Sequence, residues 1–308
     1  MCPHHQGREQ DFNRNIDDAT FYKVVDDALQ YGLKTVSLQG SGEPTLNKKF
    51  PQYVQYVKNK GLYCYALTNG LFLRGDFARK VLDSGIDLLR ISAIGYDRAS
   101  YKQWMNRDSF DQVRNNCLEI LELIDKYNYS TELHLYHLIT DATQQEIQTD
   151  LYKVNWLEYF SNQAYHEVWM MHNWAGSYEE VPYSRQQMLN TRQKRSCGRP
   201  FGNILEVRAG GIDGQHGAVV PCCMVLGRDS EAVLGHLDRD NIADVYNGKL
   251  YTELRHAHTE GRFDDVSYCK NCDQLYDYPE SLVWTNIPNR KYGTSKTLNT
   301  DLRYAHKI

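Results

Sequence analysis

Strand-like and helix-like stretches alternate through the first half of this chain. Apolar stretches suited to strands lie at 35–39, 63–68, 88–94, 131–139 and 167–171, and helical periodicity fills 17–31, 45–60, 74–84, 109–127 and 144–155. The 109–127 stretch is the clearest. Phe110, Val113, Cys117, Ile120 and Ile124 form one stripe at helical spacing, and Ser109 stands where an N-cap is expected. Strand, helix, strand at this spacing means βαβ units and a parallel sheet with right-handed crossovers. A full or partial barrel and a doubly wound sheet both satisfy the pattern, and both gather chemistry at the C-terminal strand ends.

The alternation stops at a seam near 175–196, which carries Arg185, Arg192, Lys194 and Arg195, with Arg199 just beyond it. The basic run reads as a solvated linker or as a contact for an acidic partner. Beyond it, 203–226 reads as two strands around a Gly-rich turn, followed by a helix near 240–260 and the sequence SYCKNC. The 308 residues suffice for one large domain and one smaller one. A net charge of -4 offers no global field for nucleic acid. No apolar run approaches the roughly 20 residues of a membrane-spanning helix, and the polar N-terminus does not read as a secretory signal.

The eight cysteines are Cys2, Cys64, Cys117, Cys197, Cys222, Cys223, Cys269 and Cys272. Cys64 in an apolar strand and Cys117 on a helical stripe read as small buried hydrophobes. Cys269-x-x-Cys272 presents two thiolates to one site, and two more ligands from elsewhere in this half of the chain can complete it, for zinc or for an iron-sulfur cluster. At the strand ends stand Gly40-Ser41-Gly42-Glu43-Pro44, Thr68-Asn69-Gly70, Ser92, His137, and His172-Asn173-Trp174. Together they describe a rim lined for a polar, zwitterionic ligand. His137, His172 and Trp174 are rim residues for substrate or, equally, core and backbone-bonded groups.

Several of these elements resemble the radical S-adenosylmethionine (SAM) superfamily. Met1-Cys2-Pro3-His4 is similar to the end of its C-x-x-x-C-x-Φ-C cluster loop, and Gly40-Ser41-Gly42-Glu43-Pro44 to its GGEP element. Asn69 in LTNG, Ser92, and Arg107 in YDRASYKQWMNRDSFDQV match its rhythm. The stretches CGRPF, VVPCC, DVYNGK and YCKNC resemble the SPASM/twitch class of auxiliary-cluster domains. The resemblance implies an α/β fold: a partial (β/α)6 TIM-like barrel over 1–175, lacking its first strand, a linker over 176–196, and a small α+β SPASM/twitch domain with a C-terminal tail over 197–308. The first strand and two further cluster cysteines are expected upstream of Met1, so that Cys2 by itself leaves the three-thiolate set incomplete.

The resemblance also implies roles. Cys2 is a ligand of a SAM-binding 4Fe-4S cluster. The Gly42 backbone and the Glu43 carboxylate hold the methionyl ammonium. Asn69, Ser92 and Arg107 serve the methionyl carboxylate or the ribose. Cys197, Cys222, Cys269 and Cys272 hold one auxiliary 4Fe-4S cluster, with Cys223 the alternative to Cys222. The implied activity is reductive cleavage of SAM to a 5′-deoxyadenosyl radical, which abstracts hydrogen from a peptide or small-molecule substrate. A flavodoxin- or ferredoxin-type electron donor and a reducing, cytoplasmic location follow from the oxygen-sensitive clusters. No residue is singled out as the catalytic acid or base. The alternatives are a non-catalytic barrel that has lost its radical cluster and a zinc-stabilised module.

Overall fold

The structure is a computed structural model describing residues 15–40, 42–139, 150–160, 163–177, 193–212, 214–225, 230–276, 281–284 and 296–298. Five parallel strands, β1 (Thr35–Ser37), β2 (Tyr63–Thr68), β3 (Leu88–Ser92), β4 (Glu132–Ile139) and β5 (Tyr165–Met170), lie side by side in chain order. Their register runs Thr35 to Tyr63, Tyr65 to Leu88, Leu88 to Glu132 and His134 to Tyr165. A doubly wound sheet reverses strand order at a switch point. This order does not reverse, so the crossover helices fall on one face and the opposite face turns inward, as in a barrel wall.

The crossovers are α1 (Asp18–Leu29), leading into β1, then α2 (Phe50–Asn59), α3 (Gly75–Asp83), the pair α4 (Arg98–Met105) and α5 (Phe110–Tyr127), and a helical segment over 150–160. Alternate strand residues pack under these helices. Cys64 and Ala66 of β2, Leu89 and Ile91 of β3, and Leu133 and Leu135 of β4 join Val54, Val57, Val81, Val113, Cys117 and Ile120 in one core. Each such buried aliphatic side chain contributes about 1.5–3 kcal/mol. Because side chains alternate along a strand, Tyr65, Arg90, Ser92, His134, Tyr136, Glu167 and Trp169 fall on the other, concave face.

Local signals explain the boundaries. The Asp17 carboxylate accepts from Thr20 N at 2.9 Å and opens α1. Asp97 and Ser100 close a capping box on α4, a helix not anticipated from periodicity. Ser109 occupies the N-cap position of α5 but makes no side-chain cap bond. Of the expected 144–155 helix, 150–155 forms, passing into a π turn at Lys153–Leu157 that buries Trp156, and 144–149 lies outside the described residues.

The two strands expected in 203–226 form as β6 (Glu206–Arg208) and β7 (Ala218–Val220), joined by a third, β8 (Gly235–His236), in an antiparallel sheet. The expected 240–260 helix is two helices, Ile242–Asn247 and Lys249–Thr259, broken at Gly248, whose backbone is extended. The C-terminal β9 (Ser281–Trp284) pairs antiparallel with β5, setting Val168 against Leu282, and β10 (Lys296–Leu298) pairs with β9. Part of 197–308 therefore returns to the barrel sheet and covers an edge that would otherwise present unpaired backbone groups.

Candidate active site and auxiliary metal centre

The rim is assembled around one carboxylate. Glu43 follows β1, and its Oε1 accepts from Thr45 N at 3.0 Å and from the Thr45 and Thr68 hydroxyls, each at 2.5 Å. Its Oε2 accepts from Asn69 N at 2.7 Å. Gly42, Glu43 and Asn69 are thus brought together by bonds joining the ends of β1 and β2. Here the Glu43 carboxylate ties the two strand ends, while Gly42 is an exposed backbone position beside it. Asn69 Oδ1 accepts from Leu71 N at 2.9 Å, forming the turn at Gly70. Gly70 has φ +73°, and a Cβ there would lie 2.8 Å from Ile91 Cγ2, so only glycine fits. Asn116 of α5 locks the same turn from below, donating to Gly70 O at 2.9 Å and Leu71 O at 3.1 Å.

Thr68 pairs with Ile91, which places half-buried Ser92 in the position next to Asn69 on the adjacent strand. Arg107 lies on the exposed bend after α4, and among the described residues no bond ties it to the rim. Cys2 and Ser41 lie outside the described residues.

Below Ser92, the concave face holds a buried charge network. Arg90 Nε donates to Glu167 Oε1 at 2.9 Å, His134 Nδ1 reaches the same oxygen at 2.5 Å, and Trp169 Nε1 donates to Oε2 at 3.0 Å. Burial alone would raise the Glu167 pKa, but Arg90, His134 and Trp169 together hold it down at about 2. His134 is likewise opposed by burial, yet Glu132 and Glu167 raise its pKa. The Tyr65 ring lies 5.2 Å from the Arg90 guanidinium carbon. Among sequence signals, only the charged residues inside apolar strands could have pointed to this network.

His137 does not reach the rim. It lies on the helix-covered face, where its Nδ1 meets Ala93 O at 2.7 Å, its Nε2 is 3.3 Å from His166 Nδ1, and its ring packs on Tyr152 and Trp156. Burial lowers its pKa to about 4. His172 and Trp174, just beyond β5, do stand at the strand ends with ring centroids 4.6 Å apart. Buried His172 Nδ1 and Trp174 Nε1 have no hydrogen-bond partner among the described residues. Burial, then the charge of Arg199, lowers the His172 pKa to about 3.

The downstream cysteines sort into groups. Cys64 and Cys117 are fully buried in the barrel core, where burial pushes both thiols up to about 12. The Cys197 and Cys269–Cys272 segments are clamped together: Arg195 N donates to Leu275 O at 2.8 Å, and Lys194 Nζ to Lys270 O at 2.8 Å. His258 stands between them, its Nδ1 3.0 Å from Ser196 Oγ and its Nε2 3.6 Å from Cys269 Sγ. Cys222 follows β7 in a turn that Arg208 pins by donating to Cys223 O at 3.3 Å and Val225 O at 2.6 Å. Burial raises Cys222 to about 11 and Cys269 to about 12, and neighbouring cysteine sulfurs add to both: Cys223 for Cys222, Cys222 and Cys197 for Cys269. Burial also raises Cys272, followed by Asp273, Cys222 and Cys269. Cys197, Cys222, Cys269 and Cys272 therefore share one electrostatic neighbourhood. Among the described residues no three His, Cys, Asp or Glu side chains converge closely enough to share a single metal ion. The grouping is looser than a mononuclear site, and a four-iron core with one thiolate at each corner is the larger object.

One cation sits in this neighbourhood. Arg199, half-buried, donates from Nη1 to Cys223 Sγ at 3.6 Å, and the sulfurs that act on its charge are those of Cys223, Cys222, Cys197 and Cys272. The basic seam is thus not uniformly solvated: Lys194 pairs with Asp264, and Arg199 turns to the thiols. Arg185 and Arg192 lie outside the described residues. The donor set fits an anionic group held by thiolates, because a half-buried guanidinium facing sulfur rather than carboxylate is compensated better when those sulfurs carry charge.

A clasp joins the two halves of the site. Asn173 N donates to Asp273 Oδ2 at 2.7 Å, Asp273 N donates to Asn173 Oδ1 at 3.1 Å, and Asn173 Nδ2 donates to Asn271 O at 2.7 Å. Gly176, with φ +84°, passes so close that a Cβ would lie 2.7 Å from Asn271 Cβ. The end of β5 is thereby fixed to the Cys269–Cys272 turn. Asp273, fully buried, and His258 were not anticipated from the sequence, where each looks like an ordinary polar residue beside a cysteine motif.

Comparison with known proteins follows this geometry. Residues 1–150 match the Radical SAM superfamily, and residues 214–273 match an iron-sulfur cluster-binding domain, SPASM. A probable GTP 3′,8-cyclase of Methanococcus maripaludis is 25% identical over 120 residues, covering 39% of this chain and 40% of that one. An Fe-coproporphyrin III synthase of Methanosarcina barkeri is 25% identical over 117 residues, covering 37% and 29%. The chain thus spans well under half the length of these curated relatives. Among solved structures, BtrN in complex with AdoMet and 2-DOIA aligns over 90% of both chains with TM-score 0.52 and 18% identity. Streptococcus suis SuiB bound to precursor peptide SuiA aligns over 84% of this chain and 65% of that one with TM-score 0.54 and 13% identity. These two likenesses concern the fold. Among the described residues no helix is long and apolar enough to cross a membrane. Residues 1–150 thus belong to the radical SAM superfamily of enzymes, which work with 4Fe-4S clusters and S-adenosylmethionine, and residues 214–273 to a SPASM-type iron-sulfur cluster-binding domain.

Proposed function

We propose that this protein binds SAM against the rim formed by Gly42, Glu43, Asn69 and Ser92, and that Cys197, Cys222, Cys269 and Cys272 hold one auxiliary 4Fe-4S cluster. When bound, the SAM-ligating cluster supplies the electron that splits SAM and yields the 5′-deoxyadenosyl radical that abstracts hydrogen from substrate. The chain's own residues bind, orient and shield. Glu43 fixes the loop after β1 so that the Gly42 backbone can face the methionyl ammonium, with Asn69, Ser92 and Arg107 serving the methionyl carboxylate or ribose. Cys2 is one thiolate of the SAM-ligating cluster. The Arg90–Glu167–His134 network closes the floor and excludes water from the concave face.

The observation that carries the reading is the shared electrostatic neighbourhood of Cys197, Cys222, Cys269 and Cys272, each buried or half-buried, at a turn clasped to the end of β5. A fully ligated cluster held by these cysteines would exchange electrons with a substrate in the barrel mouth. The substrate class is a peptide or a small molecule, since the solved neighbours include one of each kind. A flavodoxin- or ferredoxin-type protein in a reducing, cytoplasmic setting would supply the reductant. The test is anaerobic reconstitution with iron and sulfide, then dithionite and SAM, on protein made from Met1 and on protein including the in-frame codons before it. Release of 5′-deoxyadenosine from either form is the expected result. Its absence from both, with each fully loaded with iron, would refute the reading and favour a non-catalytic barrel.

A further inference from the structure

We infer that Arg199 is the charge partner of the auxiliary centre, holding its reduced form and so setting the potential at which it exchanges electrons with the barrel. The inference rests on the proposed four-cysteine cluster. Arg199 opens the short turn Arg199–Phe201, immediately after Cys197-Gly198. Gly198 takes φ +76° and Pro200 is buried, so the backbone route from the Cys197 thiol to the guanidinium is fixed. Among the described residues Arg199 forms no ion pair with a carboxylate, and its one side-chain hydrogen bond goes to the Cys223 sulfur at 3.6 Å.

Its surroundings are unusual for a cation. The thiols of Cys223, Cys222, Cys197 and Cys272 act on it electrostatically, and its own charge adds to burial in depressing His172 at the end of β5. Glu206 of β6 is near enough to feel it without pairing. Neutral thiols compensate a half-buried guanidinium poorly. Thiolates ligating an iron-sulfur core compensate it well, and better when the core gains an electron. A fixed positive charge beside a cluster stabilises the more negative, reduced form and raises its potential. Arg199 follows Cys197 by two residues and bonds the sulfur next to Cys222, so its charge stands beside the centre. Cys223, bonded to Arg199 and close enough to Tyr136 of the concave face to act on its ionisation, is then the thiol that carries the guanidinium rather than a fourth ligand.

The experiment is an EPR-monitored redox titration of the anaerobically reconstituted full chain, wild type, Arg199→Lys and Arg199→Gln, each in a Cys2→Ser background so that the auxiliary centre alone is read. Iron and acid-labile sulfide are counted first. The expected result is that wild type and Arg199→Lys hold the cluster and titrate close together, while Arg199→Gln titrates at a clearly more negative potential. Loss of iron from Arg199→Gln with retention in Arg199→Lys also supports a role of charge. A fully loaded Arg199→Gln that titrates with wild type overturns the inference, as does iron loss from both variants, which would make the role one of shape. Wild type that binds zinc or no metal at these cysteines sinks the cluster reading itself, and is recognised from the metal count before any potential is measured.

Discussion

At the residue scale, Glu43 shows how a side chain assigned to a ligand can act through the protein. Its carboxylate is occupied by Thr45, Thr68 and Asn69, so it shapes the loop that presents Gly42. Gln at this position keeps the volume but loses charge and one acceptor oxygen, and its amide NH2 then opposes a donor. Glu43→Gln is expected to weaken SAM binding about tenfold, the equivalent of one charge-assisted hydrogen bond of about 1.5 kcal/mol. Calorimetric titration with SAM of the reconstituted variant checks this, and unchanged affinity would remove the role. The Glu43, Asn69 and Ser92 neighbourhood was legible in the sequence because short motifs at strand ends carry it. Arg199 and His258 were not, because nothing in a linear string distinguishes a basic residue in a linker from one folded back onto thiols. His137 has two open readings, rim and core, and alternation along β4 selects the core one by putting the ring on the helix side.

At the element scale, the parallel strands were legible because each is an apolar run bounded by polar turns, and β2 spans 63–68 as read. The helix α4 was missed because its eight residues offer few apolar positions and depend on the Asp97–Ser100 cap. The break at Gly248 was missed because helical periodicity continues across it. The clasp between β5 and the Cys269–Cys272 turn joins residues a hundred positions apart, and no local pattern encodes it. Asn173→Ala removes three side-chain bonds and leaves buried Asp273 N, together with Gly176 N and Asn271 O, without them. It is expected to destabilise the protein by about 2–4 kcal/mol. Urea unfolding of wild type and variant measures this, and a loss below about 0.5 kcal/mol would show the clasp to be incidental.

At the scale of the whole molecule, the sequential strand order decides between the two architectures the alternation left open, and β9 ties the end of the chain to β5. That return falls in the stretch beyond Cys272, which the sequence leaves free either to cap the barrel or to cover the sheet, and pairing with β5 selects the second. The buried histidines also give the molecule a pH signature. His137 is held near 4 when folded, below the value of about 6.5 expected in an unfolded chain. The unfolded chain therefore takes up the proton first. The contribution of neutral His137 is complete above about pH 6.5 and drains away as pH falls towards 4, with a slope of up to about 1.4 kcal/mol per pH unit. His166, lowered further by burial, adds in the same direction. Denaturant unfolding between pH 7.5 and 4.5 should show this loss and a flatter profile for His137→Gln. An identical slope in the variant would contradict the assignment.

The account stands or falls on whether Cys197, Cys222, Cys269 and Cys272 hold one iron-sulfur core. Iron and acid-labile sulfide per chain, measured on anaerobically purified wild type, Cys223→Ser and the Cys269→Ser/Cys272→Ser double variant, address it directly. The prediction is that Cys223→Ser matches wild type while the double variant loses about four irons and four sulfides per chain. Equal iron in the double variant and wild type, or zinc in place of iron throughout, would contradict it.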